Sequence, residues 1–439
     1  MKIVFIVYRL AYYRFFTPLI EEGLKRGLDI ECWHDYSQPK TGKKGYSFPD
    51  IKDVPLFEGK NQPRIKIFYG VKELENLLLK QSGIDVVFSI HMSYCRFKKE
   101  VVSKFNFRWA TIMTGADSLF EFEQALHENP EPNNKEIFFV YNLDWLNRAR
   151  EYLKRFYPEH GEFLDKGMRC EIVGNLEFDA FSKVSLERAQ QKYGRPKGKQ
   201  ILLYLPFPYD NRSVNSAWER AFCGLYVNTA VTKDGVYLHG KKKGMIKNAA
   251  QKAYCLYQIA KDRATWKHWL KGLNEKKVFM AVRKFCDKNN LFLVVKPRLK
   301  FPVAEVVSNK SDLIIWDDER QQNPPALKDL LTAARLTVSY FSSSVFASIA
   351  VGVPHLNIGL PENFFMHEQH KFMFTDKAPS EFNFEGVSKS WPVDKMIVEF
   401  GQADIADFKI NRDKYDDYIK KYLGFNDHGT SKRIFDCML

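Results

Sequence analysis

Short unbroken apolar runs recur along this chain, and stretches with helical spacing lie between several of them. The first half contains "KIVFIVY", "DIECW", "DVVFSI", "RWATIMT", "IFFVYN" and "CEIVG". A strand with one wet face alternates apolar and polar residues. A strand that is apolar at every position is covered on both faces, which is the condition inside a parallel sheet flanked by helices. The segment "FFTPLIEEGLKRG" supplies such a helix, amphipathic and closed by Gly27 as its C-cap.

The pattern stops at about residue 181, in the polar stretch "SKVSLERAQQKYGRPKGKQ", and then restarts. "QILLYLP", "LFLVVKPR", "DLIIW", "LTVSYF" and "PHLNIG" read as a second set of buried strands. With 439 residues the chain is too long for one ordinary core. The expected organisation is therefore α/β, two doubly wound Rossmann-like domains facing across a cleft. Their expected bounds are residues 1–185 and 199–405, followed by a helical tail at 406–439 that holds the amphipathic "FKINRDKYDDYIKKYLGF". Between the first two strands of the second half lies a long basic insertion, residues 206–290.

Charge narrows the partners. A formal net charge of +14 calls for an anionic ligand or surface: a phosphorylated substrate, acidic lipid or nucleic acid. Seven cysteines lie scattered, with no Cys-x-x-Cys pair, as in a protein of a reducing compartment. The expectation is a cytoplasmic protein. The opening apolar run is broken by Arg9 and Arg14, which suits a first strand better than a secretion signal. No run approaches the roughly 20 apolar residues that span a bilayer.

The stretch "LTVSYFSSSVFASIAVGVPHLNIGLP" places Ser342, Ser343 and Ser344 between a strand and a helix. Ligands of open α/β sheets bind at the carboxyl ends of strands. A helix start offers unpaired N–H groups there, to which hydroxyls add donors, so the triplet reads as a phosphate seat. One serine acting only as a helix cap is the alternative. "LFLVVKPRLK" brings Lys296 and Arg298 to the same edge, with Pro297 ending the strand; a solvated basic turn is the plainer reading.

Taken together, "ILLYLPFPYDN", "LVVKPR" and "LLTAARLTVSYFSSSVFASIAVGVPHLNI" resemble the C-terminal half of GT-B glycosyltransferases that build bacterial surface polysaccharides. In that group a Lys-Pro or His-Pro pair and a Ser/Thr turn bind the nucleotide phosphates, places that Lys296–Pro297 and Ser342–Ser344 occupy here. The basic insertion and "TKDGVYLHG" look closest to bacterial Kdo (3-deoxy-D-manno-octulosonic acid) transferases. The resemblance implies CMP-Kdo as donor, a donor-binding C-terminal domain, an acceptor-binding N-terminal domain and no metal requirement. It also implies a retaining reaction through an aspartate nucleophile between the first C-domain strand and the Lys-Pro pair. Asp234, with His239 nearby, and Asp210 are the candidates; each is also readable as an ordinary turn residue.

The N-terminal half offers Arg9, His91 in "FSIHMSYCR" and Asp117 in "TIMTGADSLFE", all just past strands, as acceptor- or sugar-binding candidates. The expected acceptor is a lipid-linked glycan of lipopolysaccharide O-antigen or capsule synthesis. That places the enzyme on the anionic inner face of the bacterial inner membrane as a peripheral protein. A nucleotide-sugar epimerase of the same fold is the alternative. "HGKKKG" lacks P-loop spacing, and no Gly-x-Gly-x-x-Gly follows a strand. A basic nucleic-acid-binding protein is a third reading, but no RNA-binding signature supports it, and no nucleic-acid partner is expected.

Overall fold

The computed structural model describes residues 1–9, 12–37, 57, 59–115, 118–183, 185–193, 199–206, 230–232, 235–237, 253, 257, 275–297, 303–316, 326–359, 368–373 and 379–438. Two compact units emerge. One comprises Met1–Lys183 with Asp416–Leu439, the other Val184–Asp317 with Ala326–Tyr415.

In the first unit β1 (Lys2–Val7), α1 (Tyr13–Lys25), β2 (Asp29–Asp35), β3 (Arg64–Phe68), α2 (Gly70–Lys80), β4 (Val86–Ser89), β5 (Arg108–Ile112), α3 (Leu119–Glu128), β6 (Glu136–Val140), α4 (Leu143–Phe156) and β7 (Arg169–Ile172) follow in order. The seven strands form one parallel sheet in the order β3-β2-β1-β4-β5-β6-β7. The apolar runs are buried as expected: Ile3 to Val7 and Val86 to Phe88 are fully enclosed, and Phe5 stacks on Phe88 at 5.0 Å. Helix α1 ends on Gly27 at φ +73°, whose N–H reaches Leu24 O while Leu28 N–H reaches Gly23 O. Those two bonds make a Schellman motif.

The second unit contains α5 (Leu186–Lys192), β8 (Gln200–Tyr204), β9 (Ala230–Thr232), β10 (Gly235–Tyr237), α6 (Glu275–Lys288), β11 (Leu291–Val295), β12 (Val303–Ala304), β13 (Leu313–Ile314), α7 (Ala326–Ala333), β14 (Ala334–Ser339), α8 (Ser344–Ala350), β15 (His355–Gly359), β16 (Ser388–Pro392) and α9 (Val393–Glu399). Its main sheet is parallel, in the order β13-β11-β8-β14-β15-β16; β10-β9-β12 form a small antiparallel one. The core gathers Phe279, Val282 and Phe285 of α6 over Leu293 and Val295.

The C-terminal stretch packs with the first unit. Helix α10 (Thr430–Met438) buries Ile434, Phe435 and Met438, worth roughly 2 kcal/mol each, and Phe435 meets Phe88. Its start is tied by Asp179, which accepts from Thr430 N–H at 3.0 Å and Ser431 N–H at 2.6 Å. Gly424, at φ +77°, lies so close to the Tyr141 carbonyl that any Cβ would collide with it. Asp179→Ala should lower stability by about 2 kcal/mol and expose residues 430–438 to protease before the rest of the chain, seen by thermal melts and limited proteolysis. An unchanged melt and cleavage pattern would show that the apolar contacts alone dock α10.

Among the described residues no helix is long and apolar enough to cross a membrane.

Candidate functional site

Each sheet has one place where successive crossovers leave in opposite directions. In the second unit the chain runs from β8 to β11 and β13 on one side, then returns to β14 on the other. The switch point therefore lies at the carboxyl ends of β8 and β14, where the crossovers leave room for a ligand. Tyr204 ends β8, and Tyr340, Phe341 and the three serines follow β14.

Lys296 follows β11 beside them; it is 4% exposed, and its N–H donates to Tyr204 O. Tyr204 and Tyr340 both donate to the buried carboxylate of Glu275, at 2.5 and 2.7 Å, one to each oxygen. Burial, Glu275 and the neighbouring Tyr204 hold the Tyr340 phenol well above its ordinary value, so it stays protonated. That network braces the edge from below. Phe341 sits at φ +34°, an unusual region for a bulky side chain, and its N–H is held by Asn357 Oδ1 at 2.7 Å. Asn357 is anchored in turn by donating to Ser390 Oγ.

The three serines have different surroundings. Ser342 is half-buried and its Oγ accepts Ser344 N–H at 3.2 Å, a local capping bond. Ser343 is exposed. Ser344, at the first position of α8, is 4% exposed and its hydroxyl has no hydrogen-bond partner among the described residues. A buried hydroxyl left unpaired costs about 1–3 kcal/mol. Such strain and unmet hydrogen bonding are more common at ligand sites than elsewhere. Arg298, Asp210, Asp234 and His239 lie outside the described residues; of their surroundings, Thr232 and Gly235 stand opposite each other in the β9–β10 pair.

The first unit has its own switch point, between β1 and β4. Tyr8 follows β1 and His91 lies two residues past β4. Their rings meet edge-on at 5.6 Å, and Tyr12 closes on His91 from the start of α1 at 6.3 Å. His91 Nδ1 is 2.9 Å from Glu121 Oε1, on the first turn of α3; its Nε2 is 3.5 Å from Tyr12 Oη. Its backbone is fixed at both ends: the N–H donates to Ser89 Oγ, and the carbonyl accepts from Trp109 Nε1, each at 3.0 Å. Burial pushes the Glu121 carboxyl up, but the hydrogen bond and charge of His91, with Cys95 and Arg96, outweigh it and leave the group below the ordinary value. Burial holds the Tyr8 phenol far above its usual range.

Arg9 is exposed at this edge, while Arg14 pairs with Glu177 at 2.8 Å. Asp117 lies outside the described residues. Glu121, Tyr8 and Tyr12 were not among the residues singled out from the sequence, nor were Glu275 and Tyr340. Only Tyr8 and Tyr12 left a signal there, as aromatics directly after the first strand.

No known family's sequence model matches the chain, and no curated protein matches it in sequence. Solved structures do. A UDP-GlcNAc 2-epimerase of Methanocaldococcus jannaschii has a TM-score of 0.52 at 12% identity, covering 100% of this chain and 99% of that one. The wall teichoic acid polymerase TagF has 0.51 at 10%, covering 100% and 88%. The UDP-GlcNAc 2-epimerase of Neisseria meningitidis, solved with UDP-GlcNAc, has 0.50 at 11%, covering 99% of each chain. At such identities the likeness speaks for architecture alone. Two parallel α/β units, alike along the full chain to proteins of this architecture, give the protein the GT-B fold, with two Rossmann-like domains.

Proposed function

We propose that this protein is a glycosyltransferase whose second unit binds a nucleotide-sugar donor and whose first unit binds the acceptor. The observation that carries the reading is the switch point of the second sheet. A buried lysine follows β11 there, and past β14 come a strained phenylalanine and a serine hydroxyl with no hydrogen-bond partner among the described residues. That combination suits a departing phosphate: the cation and N–H groups take up negative charge as the bond to the sugar breaks.

The donor in this reading is CMP-Kdo and the reaction is retaining, with Asp234 or Asp210 as nucleophile. The cationic seat takes the place of a metal, and Ser342, Ser343, Ser344, Lys296 and Arg298 hold the phosphate. The acceptor is a lipid-linked glycan of lipopolysaccharide O-antigen or capsule synthesis. The net charge of +14 then serves both an anionic donor and the anionic inner membrane surface.

CMP at 100 times its dissociation constant should stabilise the protein by about 2.7 kcal/mol, raising the melting temperature by several degrees. Incubation with CMP-Kdo should release CMP and leave one sugar on an Asp234- or Asp210-containing peptide, read by mass spectrometry. No shift with any nucleotide at millimolar concentration would sink the reading. A nucleotide-sugar epimerase is the second reading, favoured by two of the structural likenesses named above. It predicts a shift with UDP in place of CMP and no binding to anionic vesicles.

A further inference from the structure

We infer that the groove between α6 and α9 of the second unit docks on an acidic bilayer, with an acidic phospholipid as its occupant. The inference rests on the transferase reading only for the expectation that an anionic membrane surface is a partner. The place on the protein comes from the second unit itself.

The groove has an apolar floor and a cationic rim. Met280 and Ala281 of α6 line it from one side; Ile397 and Val398 of α9, with Gly401 of the turn that follows, line it from the other. Val398 is 73% exposed, the highest value of any large apolar side chain among the described residues. A single exposed valine needs no explanation, but one that continues an apolar floor does. Lys277 and Lys284 stand on the rim, seven positions apart and so on one face of α6. Gly401 makes room for the second of them. A Cβ there would come within 3.0 Å of the Lys284 side chain, so the lysine stem lies along the floor while its ammonium stays in water. Arg283 donates to Asp287 at 2.7 Å and to Asp312 at 2.9 Å, which leaves the two lysines to set the sign of the lining.

The walls are tied to each other. Phe285 of α6 stacks on Phe400 at 4.2 Å, and Lys288 Nζ donates to Gln402 O. Just past α6, the Asn289 side chain donates to Ala403 O at 3.2 Å and accepts from Ile405 N–H at 2.9 Å. A groove held this way exists before any partner arrives, so little ordering opposes binding.

Size and chemistry choose the occupant. The volume is about 380 Å³, less than two turns of a helix about 10 Å across would fill, and too little to seat a partner protein's helix. A nucleic-acid backbone would match the lysines and leave the apolar floor wet. An acidic phospholipid meets both, its phosphate facing the lysines and its upper acyl chain covering Ile397 and Val398.

Vesicle sedimentation of the full chain tests this. Vesicles of phosphatidylglycerol and phosphatidylcholine in equal parts should retain the protein. Phosphatidylcholine alone should not, and salt at about 0.5 M should release it. Lys277→Gln combined with Lys284→Gln should lower the partition coefficient about 30-fold, and Val398→Ser about tenfold. All three positions are exposed, so the melting temperature and its shift with CMP should stay as in the unaltered protein. Hydrogen exchange should slow in residues 277–288 and 395–402 when acidic vesicles are added.

Unaltered retention of both variants would overturn this docking face while leaving the membrane partner in place. No retention of the unaltered protein would remove the membrane partner and this face together, with the CMP shift still deciding the transferase reading. Equal retention on both kinds of vesicle would overturn acidic lipid as the occupant. A dimer or an RNA gel shift that is lost in the variants would assign the groove to a second copy or to nucleic acid, and overturn the lipid.

Discussion

Replacing Lys296 with methionine should lower kcat/KM for CMP release by about 10² to 10³-fold and erase the thermal shift with CMP. The argument is electrostatic. Lys296 is 4% exposed and leaves β11 next to the β8–β14 switch point. A cation removed from bulk water acts on a nearby phosphate through a lower effective dielectric, so its pull on developing charge exceeds that of a surface lysine. Methionine keeps the apolar stem, so the fold is retained and the change isolates the charge. Lys310→Met, at an exposed position of the same unit, should change neither quantity. Should Lys296→Met melt normally, bind CMP and release it at the original rate, the phosphate seat does not lie at this switch point.

Glu136→Gln should make the protein more stable at pH 8 and flatten the dependence of stability on pH between about 5 and 8. Glu136 is 1% exposed at the start of β6 and accepts from Ser93 N–H, Ser93 Oγ and Thr111 Oγ1. Burial pushes its carboxyl up to about 7 against the pull of those hydrogen bonds from Ser93 and Thr111. The folded protein thus keeps a proton that the unfolded chain, titrating near the ordinary 4.5, has already lost. Stability from this group is complete below the unfolded value and is lost as pH rises through the folded one. At 1.36 kcal/mol per pH unit the loss totals about 3 kcal/mol. Glutamine has no proton to lose, and the Ser93 and Thr111 hydroxyls can turn to meet its amide. Parallel stability curves for the two proteins from pH 5 to 8 would refute the assignment.

The inner strands of the two parallel sheets were all legible in the sequence, and the edge strands β7 ("CEIVG") and β13 ("DLIIW") with them. β1, β4, β5, β8, β11 and β14 have sheet neighbours on both sides, so their positions are mostly buried and mostly apolar. β3 ("RIKIF") and β16 ("SKSWP") escaped notice because, on these half-wet edge strands, charged and polar residues interrupt the apolar run. An edge needs charge and irregularity to avoid pairing with another chain, and those same features erase the apolar signal. The side-chain pairings at the two switch points were hidden for a different reason. Glu121 stands 30 residues from His91, and Glu275 stands 65 from Tyr340. Neither spacing follows from local geometry, since each pair meets only after a crossover returns the chain to the sheet.

The sequence by itself determined the fold class and the carboxyl edges. Unbroken apolar runs between helical stretches leave little alternative to doubly wound parallel sheets, and a serine triplet or a histidine just past such a run must lie at a strand's end. Tertiary structure alone decided which strand ends adjoin at each switch point, what each serine does, and that the chain's last helix belongs to the first unit. Strand order depends on the direction of each crossover, a choice made by packing over the whole sheet, and no short stretch of residues encodes it.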